Sequence, residues 1–403
     1  MARTGYADLP LHYGRVPQWL AERMTTLGGA IVEAIIIEYG KGEVLRRLSD
    51  PLWFQSFGCV LGMDWHSSGI TTSVMGALKR AVNARSREFG LYICGGRGKH
   101  SRQTPAELLA IAEKTGLNGS ALVHSSRLAA KVDNTAIQDG FQLYLHSFIL
   151  SDSGEWTVVQ QGLNDSSGMA RRYHWHSGAF QSYLDSPHSG VTGENQGLIL
   201  NLASADAGVT RESILKIPQE NPDTMIREVR KIIMPRHHEV RSDDVNLKRL
   251  GAILTLAHER QICQFEDLLL LEGVGPRAVQ SLALVSEVIY GSPTRFNDPA
   301  RFSFAHGGKD GHPFPVPLKV YDETIQVLRN SIERSKLGNS DKLQAVRQLS
   351  TIASRIEKDF RPNPFLEDHI QKERDTSHEF GGMTVFGKAV APKKQPGQQL
   401  KLF

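Results

Sequence analysis

The chain has 403 residues, room for two domains or three with a small one. Hydrophobic residues make up 40% and charged residues 22%, an ordinary globular balance, and a net charge of only +4 means that any nucleic-acid site must come from local clustering. Cys59, Cys94 and Cys263 are too few and too scattered for a zinc ribbon or a disulfide framework and suit a reducing cytoplasm, while the absence of a long apolar run or a basic-then-apolar leader predicts a cytoplasmic chain with no membrane partner.

Residues 15–39 read as a helix, with Trp19, Leu20, Met24 and Leu27 leading into the apolar stretch from Ala30 to Ile37. Asp50 and Pro51 break a second helix, and the apolar run from Phe57 to Met63 has strand length. That run stops at Asp64, followed by Trp65, His66, Ser67, Ser68 and Gly69 and then another helix. A carboxylate at a strand end ahead of a polar glycine loop is where α/β enzymes place chemistry. The same residues also read as a turn with a helix cap, and without a Lys the loop is not a Walker A loop. Leu91 to Cys94 forms a second short strand, followed by Gly95, Gly96, Arg97, Gly98, Lys99, His100, Ser101 and Arg102. Cations interleaved with glycines make a flexible positive loop suited to phosphate, or else a merely solvated basic turn. Thr104, Pro105, Ala106 and Glu107 spell a capping box, with Gly116 as the helix stop.

The segment from Ser125 to Gln138 carries Arg127, Lys131 and Asp133, and Asp139 follows it. Phe141–Leu150 and Trp156–Gly162 alternate and are joined by Ser151, Asp152, Ser153 and Gly154, a β-hairpin signal. Gln142, Tyr144 and His146 share one face of the first strand, Gln160 and Gln161 follow on the second, and a third strand, Ala170–His176, supplies Arg171, Arg172, Tyr173, His174 and Trp175. Such side chains predict an exposed nucleic-acid or phosphate-ester face, with aromatics for stacking and arginines for phosphate. His174 and His176 also suit a metal pair, or an aromatic sheet edge with no carboxylate at fixed spacing. Asp139 with Gln160 and Gln161 is faintly similar to the restriction-nuclease core, although Gln stands where that core has an acid and no Lys follows at its offset. No Gly-x-Ser-x-Gly elbow and no Cys–His nucleophile pattern is visible. Another strand runs over Gly197–Ala203, and a domain boundary is expected near 215–222.

Beyond that boundary the sequence reads as helix over 222–233, 243–262, 320–336 and 341–359. At its centre, Phe265 to Tyr290 runs from an apolar segment (Phe265, Leu268, Leu269) into Gly273, Val274 and Gly275, and Pro276 opens a second helix whose face carries Val279, Leu282, Ala283, Ser286 and Ile289. Free N–H groups at that helix start, with Arg277 in the first turn, make a ready anion site. These residues resemble the helix-hairpin-helix, a grip on the DNA backbone that ignores sequence. The long segment Gly291–Val316 carries Arg295, Arg301, His306, Lys309, Asp310 and His312. Within it Gly291, Ser292, Pro293, Thr294 and Asp298 resemble the segment after the hairpin in helix-hairpin-helix DNA glycosylases, but Arg277 stands where bifunctional members keep a Lys.

Five stretches, Gly62–Thr72, Tyr92–Pro105, Ser126–Tyr144, Ala170–Trp175 and Phe302–Gly311, are similar to an uncharacterised prokaryotic domain-of-unknown-function family, number 763. That resemblance implies no particular chemistry. After Arg361 the chain turns polar and is expected to be a disordered tail. Its last residues, Gln399, Leu400, Lys401, Leu402 and Phe403, resemble the bacterial sliding-clamp peptide, with Gln399 at a pocket rim and Leu400, Leu402 and Phe403 in apolar contact.

The expected fold class is α+β: a mixed α/β domain with an antiparallel hairpin sheet over 1–218, an all-α helix-hairpin-helix domain over 219–360, and a flexible tail over 361–403. The favoured function is a structure-specific DNA nuclease using Mg²⁺ or Mn²⁺ held by Asp64, Asp133 and Asp139. His66, His100, His146 or His174 would move protons, and Lys99, Lys131, Arg171 and Arg172 would steady the transition state. Arg97, Lys99, Arg171, Arg172 and Lys309 would join Gly273, Val274, Gly275 and Arg277 on DNA. A non-catalytic adaptor for structured DNA is the alternative, with a DNA glycosylase third.

Overall fold

The computed structural model describes residues 9–10, 16, 18–63, 69–179, 181–222, 225–226, 247–300, 318–335, 338, 341–349, 375, 383–384 and 387–388. Residues 1–357 form one compact unit and 358–403 another. In the second, Met383–Thr384 pairs antiparallel with Gly387–Lys388. Among the described residues no helix is long and apolar enough to cross a membrane.

Four helices open the first unit: α1 (Gln18–Tyr39), α2 (Lys41–Leu48), α3 (Pro51–Val60) and α4 (Gly69–Ala84). Helix α3 replaces the strand expected over Phe57–Met63. All ten of its residues are buried, so no polar stripe reveals a helical period and the apolar run looks equally like a strand. The break expected at Asp50 and Pro51 separates α2 from α3, and Asp50 also caps α3. Its carboxylate accepts the N–H of Leu52 at 2.8 Å and of Trp53 at 3.1 Å, and Pro51 fits the first turn because its missing N–H is not needed there.

After the short α5 (Ser86–Phe89), the strands build an antiparallel sheet ordered β1 (Leu9–Pro10), β6 (Met169–His176), β5 (Trp156–Asn164), β4 (Gln142–Ser151) and β2 (Leu91–Arg97), with β7 (Gly190–Thr192) also on β6. The expected hairpin is β4–β5, closed by the turn at 152–155. A small second sheet joins β3 (Ile137–Gln138), β8 (Leu198–Asn201) and β9 (Phe296–Asn297). Further helices are α6 (Thr104–Thr115), α7 (Gly119–Lys131), α8 (Gly208–Lys216), α9 (Leu247–Glu259), α10 (Phe265–Leu270), α11 (Pro276–Tyr290) and α12 (Leu318–Arg334), and residues 341–349 are also helical.

Neighbouring residues on a strand point to opposite faces, and here both faces are covered. Ile93, Ile149 and Val159 pack with α1–α4 in one core. Cys94, Phe148, Leu150, Val158 and Trp175 pack on the other side with residues of α6 through α11. The second core runs from Cys94 to Phe296, so the boundary expected near 218 does not separate two cores.

The capping box expected at Thr104 does not form, because Glu107 is drawn away. Its carboxylate accepts the N–H of Gly95 at 2.6 Å and takes Lys79 Nζ at 2.8 Å, tying α4, β2 and α6 together. Gly116 does stop α6, in the left-handed conformation at φ +75°.

Candidate functional site

Two-sided coverage changes the meaning of the polar strand residues. On β6, Arg171, Tyr173 and Trp175 point to one side and Arg172 and His174 to the other, and all five are buried. Arg171 lies between two carboxylates. It meets Asp139 at 2.9 Å, pairs in bidentate fashion with Asp298 at 2.9 Å for each bond, and also donates to the carbonyl of Glu194. Asp139 also accepts the Tyr173 hydroxyl at 2.6 Å and the N–H of Phe141 at 3.0 Å, and burial holds its carboxyl above the ordinary range. Arg172 has no carboxylate partner among the described residues. It donates to His174 Nε2 at 2.8 Å and lies 4.7 Å over the Phe54 ring, and burial pushes its pKa down to about 9.

These contacts correct several expectations. Arg171 and Arg172 are not on an exposed DNA face: Arg171 is enclosed by Asp139, Glu194 and Asp298, and Arg172 by Phe54 of α3 and Thr71 of α4. His174 moves no proton to a ligand, since Nδ1 bonds the carbonyl of Leu48 at 2.9 Å and Nε2 accepts from Arg172. Asp298 is fully engaged with Arg171, Gln196 N–H and Ala300 N–H, so the glycosylase-like segment offers no free carboxylate. Asp133 and Asp139 both take nitrogen donors, and Asp139 a phenol as well. Among the described residues no group of three His, Cys, Asp or Glu side chains is placed to hold a metal ion. Asp64, His66, Lys309, Gln399, Leu400, Leu402 and Phe403 lie outside the described residues.

Asp133 instead ends a continuous relay. Gln160 Nε2 donates to Asp133 Oδ2 at 2.5 Å and to the carbonyl of Ala129 at 3.1 Å. Two acceptors on its nitrogen leave Gln160 Oε1 facing His146 Nδ1 at 2.6 Å, and an oxygen there requires that Nδ1 carry the proton. His146 Nε2 is then a bare acceptor, 2.8 Å from Ser126 Oγ. Burial pushes the imidazole pKa down and keeps it neutral. Trp175 Nε1 at 2.9 Å and His188 Nε2 at 2.6 Å complete the shell of Asp133. Sequence reading missed Ser126 and His188. A small polar residue on the buried face of a helix, followed by a strand with His among alternating polar residues, is the signal that could have found Ser126.

Ser126 and His146 line a cavity of about 180 Å³, with Arg102, Arg127, Ala130 and Tyr144 also in its wall. Strand β4 has a bulge between Leu143 and Leu145, which turns Tyr144 to the cavity rim. The basic segment Gly95–Arg102 is not a loose loop but the end of β2 and a tight 3₁₀ turn. It keeps Arg97, Lys99, His100 and Arg102 exposed, with Arg97 stacked 5.8 Å over the Tyr144 ring and His100 Nδ1 3.1 Å from Gln103 Oε1.

The glycine loop lies at the far end of α7. Lys131, the last residue of that helix, donates to the carbonyl of Val274, and burial lowers its pKa. Its ammonium is therefore spent on the loop, not on the Ser126 cavity. Arg249 holds the carbonyl of Gly273 at 3.0 Å, and Gln138 holds that of Pro276 at 2.7 Å. The N–H groups of Gly273, Gly275 and Arg277 have no acceptor among the described residues. Gly273 and Arg277 are exposed, and Gly273 takes φ +83°, a left-handed turn that suits glycine.

A family model described as "Protein of unknown function (DUF763)" matches residues 5–316. The chain belongs to this family. No curated protein and no solved structure matches it. In this DUF763 member the relay from Ser126 to Asp133 and the loop Gly273–Arg277 both lie inside the matched span, and the terminal Gln399–Phe403 lies beyond it.

Proposed function

We propose that the protein is a DNA-processing protein that grips the sugar–phosphate backbone through Gly273, Val274, Gly275 and Arg277. One observation carries this reading: the loop carbonyls are tied by Lys131, Arg249 and Gln138, while the N–H groups of Gly273, Gly275 and Arg277, in the loop and the helix start after it, have no acceptor among the described residues. Donors arranged in this way suit an anionic oxygen, and backbone contacts carry no base information. The metal-dependent route through Asp133 and Asp139 lacks comparable support, since the donors around both carboxylates already occupy them.

A Cβ at Gly275 would meet nothing within 4 Å, and its backbone is extended, so Gly275→Ala should fold normally. The added methyl would project toward the phosphate and weaken one charge-assisted bond, worth roughly 1.5 kcal/mol or about tenfold in affinity. Filter retention of hairpin, forked and duplex DNA should fall alike for all three, and wild-type retention should drop steeply with salt. Equal retention by wild type and Gly275→Ala would make the loop an ordinary helical turn.

The sliding-clamp reading of the tail is a separate proposal, resting on Gln399, Leu400, Leu402 and Phe403. Deleting Gln399–Phe403 should abolish binding to the ring clamp of the same organism in surface plasmon resonance and leave DNA retention unchanged. A synthetic peptide of the last residues that fails to bind that clamp at high micromolar concentration would remove the proposal.

A further inference from the structure

The Ser126 relay has the parts of an activated nucleophile. A hydroxyl lies 2.8 Å from an imidazole nitrogen that the Gln160 contact leaves without a proton, and Asp133 stands behind Gln160. Ser126 Oγ has no other acceptor among the described residues, whereas the adjacent Ser125 spends its hydroxyl on the carbonyl of Ala121 at 2.9 Å. Ser126 and His146 are buried but are among the residues that line the cavity that Arg102 and Arg127 border. Both guanidinium groups are exposed, and the ten lining residues include no carboxylate, so the cavity favours an anionic group.

Helix α7 also connects this cavity to the glycine loop. Ala130 lines the cavity, Lys131 holds Val274, and Arg127 stands one helical turn before Lys131 on the same face. A backbone held at Gly273–Arg277 would thus have its neighbouring phosphates led along α7 toward Ser126.

We propose that Ser126 is a nucleophile activated by His146 for phosphoryl transfer, acting on a phosphodiester whose non-bridging oxygens are neutralised by Arg102 and Arg127. The choice of a phosphodiester rests on the DNA reading above; the activation of Ser126 does not. In the first step an oxygen lone pair of Ser126 forms the new P–O bond while its proton passes to His146 Nε2. The P–O bond to the leaving hydroxyl breaks with its electrons on that oxygen, which takes the proton back from Nε2. Water, or another hydroxyl, reverses the sequence at the phosphoserine and regenerates Ser126. Gln160 and Asp133 are positioning residues: they fix the tautomer before the step and support the imidazolium during it.

The test uses the full chain with two probes, diisopropyl fluorophosphate and an end-labelled DNA hairpin. Intact mass and peptide mapping should show one organophosphate adduct on Ser126 in the wild type and none there in Ser126→Ala. The labelled hairpin should leave an adduct with protein that survives denaturing electrophoresis, absent in Ser126→Ala although this variant retains DNA as the wild type does. Arg127→Gln, an exposed change, should slow the DNA adduct roughly tenfold or more and slow the reaction with the uncharged fluorophosphate less, because that probe carries no charge for Arg127 to hold before the step. Retention of DNA with neither probe on Ser126 overturns the nucleophile and leaves the DNA reading standing. Fluorophosphate labelling of Ser126 without DNA retention supports the nucleophile and overturns the DNA reading and, with it, the phosphodiester.

Discussion

Replacing Arg171 with Leu should destabilise the protein by about 3–5 kcal/mol at neutral pH, the usual result of leaving a buried charge uncompensated. Asp139 and Asp298 both depend on this one guanidinium, and no side chain in the trio is exposed. The deficit should depend on pH with a definite sign. Burial already holds the Asp139 carboxyl above its ordinary value of 3.8, and loss of Arg171 would raise it further. A carboxyl whose folded value exceeds its unfolded value binds its proton more tightly in the folded state. Its contribution is therefore fully present below the ordinary value and is lost as pH rises through the folded one. Urea unfolding should thus show the smallest deficit in acid and the largest near neutrality. Adding Asp139→Asn and Asp298→Asn to Arg171→Leu should recover more than half of it. A deficit below about 1 kcal/mol at neutral pH, within the range of ordinary substitutions, would mean that the cluster is solvated.

Gly95→Ala should be almost as damaging, by about 2–5 kcal/mol, from a left-handed backbone costing about 1–2 and an overpacked contact costing about 1–3. Gly95 sits at φ +81°, and a Cβ there would lie 2.2 Å from the carbonyl oxygen of His146 and 2.5 Å from Thr104 Oγ1. The first obstacle is backbone, so relief requires β2 and β4 to part at the residue that carries the imidazole. Even the fraction that folds should react slowly with diisopropyl fluorophosphate, because Ser126 and His146 no longer meet at hydrogen-bond distance. An unchanged urea midpoint would refute the steric argument. A lowered midpoint with undiminished labelling would separate strand spacing from the relay.

The sequence made the local signals plain and the layering obscure. Alternation over Phe141–Gly162, broken by Ser-Asp-Ser-Gly at 151–154, identifies the central hairpin because turn chemistry and period agree. Gly273, Gly275 and Pro276 likewise mark the junction of α10 and α11, since left-handed and helix-start backbones favour those residues. Helix α3 was illegible because burial on every side erases its period. The polar residues of β6 misled for a related reason: a buried arginine with two carboxylate partners has the same letters as an exposed phosphate binder. Asp298 is 127 residues from Arg171, a separation at which no local pattern announces the pair. Ser126 and His146 are only 20 residues apart, but one is on a helix and the other on a strand, so no spacing rule joins them.

The core shared by the sheet and the helices around Gly273–Gly275 also fixes how binding at the loop reaches the rest of the fold. Leu268, Leu269, Val274, Val279 and Leu282 belong to the same apolar mass as Phe148, Val158 and Trp175. The loop cannot melt as an independent foldon while that mass stays intact. A ligand that grips only the native loop therefore adds RT ln(1 + [L]/Kd) to the stability of the cooperative unit, about 2.7 kcal/mol at a hundredfold excess over Kd. Occupancy at one exposed turn would be felt in hydrogen exchange at the central strands, far from any atom the ligand touches.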